Sequence, residues 1–203
     1  MLEIRPSKIV GVGRNYSEHA KELGHELPTE PLIFLKPSSS MIGDGDEVVY
    51  PVQTSNLHHE AELAVVMGRK CRDITADEAM HHVRGYTCAN DVTARDLQFS
   101  DPQWTRGKGF DTFCPLGPTI VTDLDPADLR VQMRVNGEVR QDARTSEMIF
   151  AIPKLISYIS SFMTLLPDDV ILTGTPAGVS AVQKGDVMEV EVEGIGILRN
   201  RVR

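Results

Sequence analysis

Cysteine is scarce and scattered: Cys71, Cys88 and Cys114 are odd in number, and none falls in a Cys-x-x-Cys spacing. That excludes a disulfide framework and a zinc knuckle, and it fits a reducing, cytoplasmic setting. Positive charge is in deficit. Lys and Arg number 21 against 29 Asp and Glu, leaving a formal charge of -8 and a pI near 5.2. Such a balance speaks against nucleic acid or an anionic membrane as a partner. Long apolar runs are missing, since no stretch approaches the ~20 residues of a membrane span. Met1-Leu-Glu-Ile-Arg-Pro-Ser7 carries no apolar signal core. Repeats, low-complexity tracts and linkers are absent too. What remains is a chain of 203 residues, able to bury roughly 70% of its unfolded surface without staples. One domain over residues 1–203 is expected.

Within that chain the most informative stretch is His59-Glu-Ala-Glu-Leu-Ala-Val-Val66. It reads as a buried strand carrying two acids two residues apart, and residues i and i+2 of a strand share a face. Glu60 and Glu62 therefore point the same way out of an apolar element, where like charges need something positive between them. Asp91 closes a second strand-like segment, Tyr86 to Asp91. Three such acids form an all-oxygen set suited to Mg²⁺, Mn²⁺ or Ca²⁺ and not to zinc or copper. The same spacing also suits a solvated strand face paired with Lys or Arg.

The other segments are short. Strands are expected at Lys8–Val12, Leu32–Lys36, Glu47–Tyr50, near Thr119–Thr122, at Val170–Thr173, Val187–Glu193 and Leu198–Val202. Asn136-Gly137 between Val131–Val135 and Glu138–Gln141 predicts a two-residue hairpin. Ser17 caps a helix to about Leu23, which places His19 and Glu22 one turn apart, a spacing that lets the carboxylate orient an imidazole base. An ordinary surface pair has the same spacing. The capping box Thr75-Ala-Asp-Glu78 opens a helix to about Val83, with Gly85 as its stop. His81 and His82 on that helix read as solvent-facing. A core-facing helix starts near Pro153, where Ile152, Leu155, Ile156, Ile159 and Phe162 recur at three and four. Thr93–Gln98 reads as a turn or short helix, and Arg106–Phe110 as a glycine-rich loop presenting Lys108 to a ligand or to solvent. The Gly174-Thr175-Pro176 turn offers a hydroxyl and N–H groups. His58 shares the Glu60 face and His59 opposes it. Many short strands with few helices make the fold class α+β, mostly β, and argue against a doubly wound sheet.

Seven segments occur together and in order: Gly13-Arg-Asn-Tyr16 with His19 and Glu22, Phe34-Leu-Lys-Pro37, His59 to Val66, Asn90-Asp-Val-Thr-Ala-Arg-Asp96, Gly107-Lys-Gly-Phe-Asp111, Cys114-Pro115 and Leu172-Thr-Gly-Thr-Pro-Ala-Gly178. In this the chain resembles the fumarylacetoacetate hydrolase family, specifically its short acylpyruvase-like and hydroxyheptadienedioate-isomerase-like members. The resemblance implies mixed β-sheets rolled around a core, a homodimer, and Mg²⁺ or Mn²⁺ on Glu60, Glu62 and Asp91. It further implies that Arg95, Gln98, Lys108 and Thr175 contact the oxygens of a small keto-acid substrate, while His19 and Glu22 activate water. The expected reaction is hydrolysis of a carbon–carbon bond in a 2,4-diketo acid, with charge withdrawn by the cation and the oxyanion met by Lys108 or a backbone donor. Alternatives within the resemblance are isomerisation of 2-hydroxyhepta-2,4-diene-1,7-dioate, a step of aromatic catabolism, and oxaloacetate decarboxylation. With little sequence ahead of Lys8, the N-terminal module of longer relatives is expected to be absent. A non-catalytic protein holding structural Ca²⁺ is the reading from another class.

Overall fold

A computed structural model describes residues 2–22, 24 and 26–203. In chain order the elements are β1 (Ile9–Gly13), α1 (Ser17–Glu22), β2 (Leu32–Lys36), β3 (Met41–Ile42), β4 (Glu47–Val48), β5 (Leu57–His58) and β6 (Ala61–Met67). There follow α2 (Ala76–Ala79), β7 (Val83–Asn90), β8 (Thr93–Ala94), α3 (Arg95–Ser100), α4 (Thr105–Lys108) and β9 (Cys114–Val121). The last are β10 (Arg130–Val135), β11 (Glu138–Arg144), α5 (Ile152–Phe162), β12 (Val170–Leu172), β13 (Val187–Val192) and β14 (Gly196–Val202). Short strands dominate, so the fold is mostly β with a few short helices, as the sequence leads one to expect. The expected end of α1 at Leu23 lies outside the described residues.

Strand order is β2-β1-β12-β6-β7-β9-β3 in a mixed seven-stranded sheet and β11-β10-β13-β14-β4 in a five-stranded one, with β5-β8 a separate pair. The second sheet packs on the first, β13 and β14 lying against β6, β7 and β9. Burial of β6 on both faces explains its unbroken apolar run. Leu63, Val65 and Met67 enter the core between the sheets, whereas Ala64 and Val66 join a second cluster with Ile9, Leu116, Val170 and Leu172. Glu62, two residues before Ala64, leaves the strand on that second side. α5 packs its Leu155, Ile156 and Ile159 into the larger core and lies against α2.

The hairpin forms as its turn chemistry requires, with Asn136 at φ 52° and Gly137 at φ 84°. Elsewhere the structure differs from expectation. The strand expected over Glu47–Tyr50 pairs only at Glu47 and Val48. The helix after Thr75 lasts one turn and tightens into a 3₁₀ turn to His82, because Val83 onward pairs with β6, and β9 covers its other edge. Gly85 therefore lies inside a strand and not at a helix stop. His81 is exposed, but His82 is half-buried with its Nδ1 unpartnered. The expected loop at 106–110 begins as α4, whose Gly107 lies so close to α3 that a Cβ would come within 2.9 Å of the Gln98 nitrogen. No helix among the described residues is long and apolar enough to cross a membrane.

Candidate active site

The ends of β6 and β7 bring the three acids together. Glu60 precedes β6, Glu62 lies within it, Asp91 follows β7, and β6 and β7 pair in register from Ala61 to Asn90. The Glu60 N–H is bound by the Asn90 side chain at 2.9 Å and the Asp91 N–H by the Glu60 carbonyl at 2.9 Å, which fixes both acids at the backbone. One carboxylate oxygen from each of Glu60, Glu62 and Asp91 lies within 4.8 Å of the others, and all three residues are buried.

Three buried cations surround this cluster. Lys108 donates to Glu60 at 2.7 Å and to Asp91 at 2.5 Å, Lys36 donates to Asp91 at 2.5 Å, and Arg95 donates to Glu60. Lys36 also donates to the Val92 carbonyl at 3.2 Å. Burial works against an ionised Glu60, yet Lys108 and Arg95 hold its pKa well below the usual carboxylate range. Burial likewise works against the Lys108 ammonium, but Asp91 and Glu60 raise its pKa. Glu62 is different. Among the described residues no cation pairs with it, and its hydrogen-bond donor is the Gly174 N–H at 2.7 Å. Burial, then Asp91 and Glu60, push its pKa well above the carboxylate range.

A buried carboxylate without a counter-ion, facing two other acids, is where a hard divalent cation would remove the repulsion. The donor set is all oxygen and fits Mg²⁺, Mn²⁺ or Ca²⁺. Glu60, Glu62 and Asp91 line a cavity of about 250 Å³ shared with His19, Arg95, Gln98, Lys108 and Thr175.

His19 enters that cavity from α1. Its Nδ1 lies 3.2 Å from Glu22 Oε2, and Nε2 has no protein partner among the described residues. Burial lowers its pKa, so the ring is a neutral base near neutral pH. Glu22 in turn accepts the Gly178 N–H at 3.1 Å. The start of α1 is tied down by Asn15, whose amide donates to the Phe150 and Thr173 carbonyls at 3.0 and 2.8 Å. Gly174 and Gly178 adopt φ of 101° and 98°, which a residue with a side chain rarely does, and a Cβ on Gly178 would run into the Arg140 carbonyl. One tight turn therefore presents N–H groups to both Glu62 and Glu22.

Every residue singled out for chemistry in the sequence borders this one cavity except Glu22, which stands behind His19. Their engagements vary. Gln98 accepts from Arg95 at 2.6 Å, leaving the Arg95 Nε buried and unpartnered. The Thr175 hydroxyl donates to the Ala61 carbonyl at 2.9 Å and accepts from Gln141 at 2.7 Å. His59 is buried between Gln141 and Ser180, its pKa lowered by burial to about 4, and His58 bonds Asn56; neither bonds an acid of the cluster. Sequence reading missed Lys36, Gln141 and the cavity's aromatic wall of Phe34 and Trp104. Lys36 lay in the quoted segment Phe34 to Pro37, where a lysine ending an apolar strand was the available signal.

Comparison with known proteins gives the family of the chain and of its fold. Residues 8–203 match the family described as fumarylacetoacetate (FAA) hydrolase, C-terminal. A solved structure of a 5-carboxymethyl-2-hydroxymuconate delta-isomerase from Mycobacterium smegmatis superposes with a TM-score of 0.93 at 52% identity, over 98% of this chain and 79% of that one. The fumarylpyruvate hydrolase from Pseudomonas aeruginosa, solved with Mn²⁺ and pyruvate, gives 0.92 at 36% identity over 98% and 90%. The mitochondrial oxaloacetate tautomerase FAHD2A of Homo sapiens is 48% identical over 98% of this chain and 67% of its own.

Proposed function

Because the chain belongs to the fumarylacetoacetate hydrolase family, we propose that it is a divalent-metal-dependent enzyme of short 2-oxo acids. In this reading it hydrolyses the carbon–carbon bond of a 2,4-diketo acid. The observation that carries the reading is the His19–Glu22 pair, held at 3.2 Å on the edge of a cavity floored by three acids, with Nε2 left for water. A cation on Glu60, Glu62 and Asp91 would supply Lewis-acid withdrawal of charge from the 2-oxo acid end. Arg95 holds its guanidinium against Glu60 and faces the cavity as a carboxylate donor. An ammonium has three donors, and Lys108 commits two to Glu60 and Asp91, leaving one for a substrate oxygen.

His19 Nε2 takes a proton from water, and Glu22 holds the ring and stabilises the imidazolium that forms. The hydroxide adds to the distal carbonyl. As the tetrahedral oxyanion collapses, the bond between C3 and C4 breaks, its electron pair leaving with the pyruvate fragment as the enolate, which then takes a proton.

A second reading keeps the same base and changes the proton it moves. The 48% identity to the human oxaloacetate tautomerase, against 36% to the fumarylpyruvate hydrolase, favours keto–enol exchange at the carbon beside the oxo group. The test is Mn²⁺-loaded protein given fumarylpyruvate or enol-oxaloacetate, with and without EDTA, followed by enol absorbance and product analysis. Equal fumarate and pyruvate support hydrolysis, ketonised oxaloacetate without pyruvate supports tautomerisation, and neither change rejects both. His19→Ala is expected to lower kcat about 10²- to 10⁴-fold while Mn²⁺ binding persists.

A further inference from the structure

One wall of the cavity is aromatic and ends in a cation that no acid among the described residues neutralises. Starting at the acid cluster, Lys108 Nζ lies 5.0 Å from the Phe34 ring centroid. Phe34 meets Trp104 edge-on with centroids 5.4 Å apart, and the Arg14 guanidinium lies 6.0 Å from the Trp104 ring. Arg14 and Lys108 thus sit at opposite ends of a two-ring wall. The position is built and not incidental. Arg14 holds a left-handed φ of 58°, uncommon for a residue with a side chain. Gly13 beside it makes room for the indole, since a Cβ there would meet the Trp104 ring at 2.8 Å. Arg14 is half-buried, and burial lowers its pKa. Among the described residues no hydrogen bond or ion pair engages its guanidinium. The cavity's remaining acid, Asp101, is taken by Arg106 at 2.7 and 2.5 Å.

We propose that Arg14 binds the second carboxylate of a dicarboxylic 2-oxo acid, making dicarboxylates, and not their monocarboxylate counterparts, the substrate class of this cavity. The inference rests on the reading of the acid cluster as a 2-oxo acid site. A chain with one anionic end would leave the guanidinium partly desolvated and unpaired, whereas a chain with two would place a carboxylate at each end and its carbons along Phe34 and Trp104. An arginine matches a carboxylate in a two-pronged fork, which adds direction to charge.

The experiment is calorimetric binding to Mn²⁺-loaded protein of two matched pairs: 2-oxoglutarate against 2-oxopentanoate, and 2-oxoadipate against 2-oxohexanoate. Within each pair a carboxylate replaces a methyl at constant carbon count. For at least one pair the natural protein is expected to bind the dicarboxylate about 10- to 100-fold more tightly. Arg14→Gln should bring that ratio to within about threefold by weakening the dicarboxylate alone. Arg14→Lys, which keeps charge without the fork, should fall between, and it decides the matter if the glutamine variant does not fold. Equal binding within both pairs by the natural protein, or a preference that survives in the variants, overturns the assignment of Arg14 and leaves the 2-oxo acid reading standing. Failure of all four compounds to bind overturns both.

Discussion

Acid–base pairs of the same chemical kind occur in the two larger sheets, in opposite surroundings. On the five-stranded sheet, Arg199 and Glu189 face each other in register across β13 and β14, and Arg130 reaches Asp142 across the hairpin. These side chains join neighbours on a wet surface, where solvent screens them and side-chain entropy offsets most of the attraction. At the end of the seven-stranded sheet, Lys36, Arg95 and Lys108 meet Glu60 and Asp91 at almost no exposure. There each charge relies on its partner, since removal of either leaves an ion in a medium that cannot solvate it. Burial decides what an ion pair does: on one sheet it trims a surface, and at the other it keeps Glu60 ionised and fixes both acids in a position they would not keep alone.

Three substitutions probe that contrast. Asp91→Asn should have the largest effect, a fall in Mn²⁺ affinity of at least about 100-fold together with loss of turnover, read by calorimetry and by the enol assay. Unaltered Mn²⁺ binding would remove the reason for concentrating acid at this end of the sheet. Lys36→Met should cost about 3 to 5 kcal/mol in urea unfolding, towards the lower figure because Lys108 still faces Asp91. A loss no greater than that of a surface pair would erase the distinction between the two regions. Arg130→Ala, the smallest, should move Tm by no more than about 2 °C.

What was legible in the sequence was mainly local. The shared side of Glu60 and Glu62 follows from strand geometry, and the hairpin follows from the backbone preferences of Asn136 and Gly137. The His19–Glu22 pair follows from one helical turn, and its bond forms at 3.2 Å. Partners supplied by distant strands were not legible. Lys36 meets an acid 55 positions away, and Gln141 joins Thr175 across 34 positions; no periodicity encodes such meetings. Boundaries failed where pairing overrode local preference, as when the capped helix after Thr75 gave way to the strand that β6 and β9 recruit. The ordered set of seven segments placed Lys108 near the acids, but it did not reveal that the lysine spends two of its donors on them.

The loop from Gly174 to Gly178 grips a cluster acid at its first residue and the acid behind the imidazole at its last. Its span is therefore a yardstick: it sets how far the His19 imidazole stands from the carboxylate floor, independently of what either group is. Lengthening the loop by one residue would preserve every side chain of the cavity and misalign its two halves, so a scaffold of this design is retuned through an offset before any functional group changes.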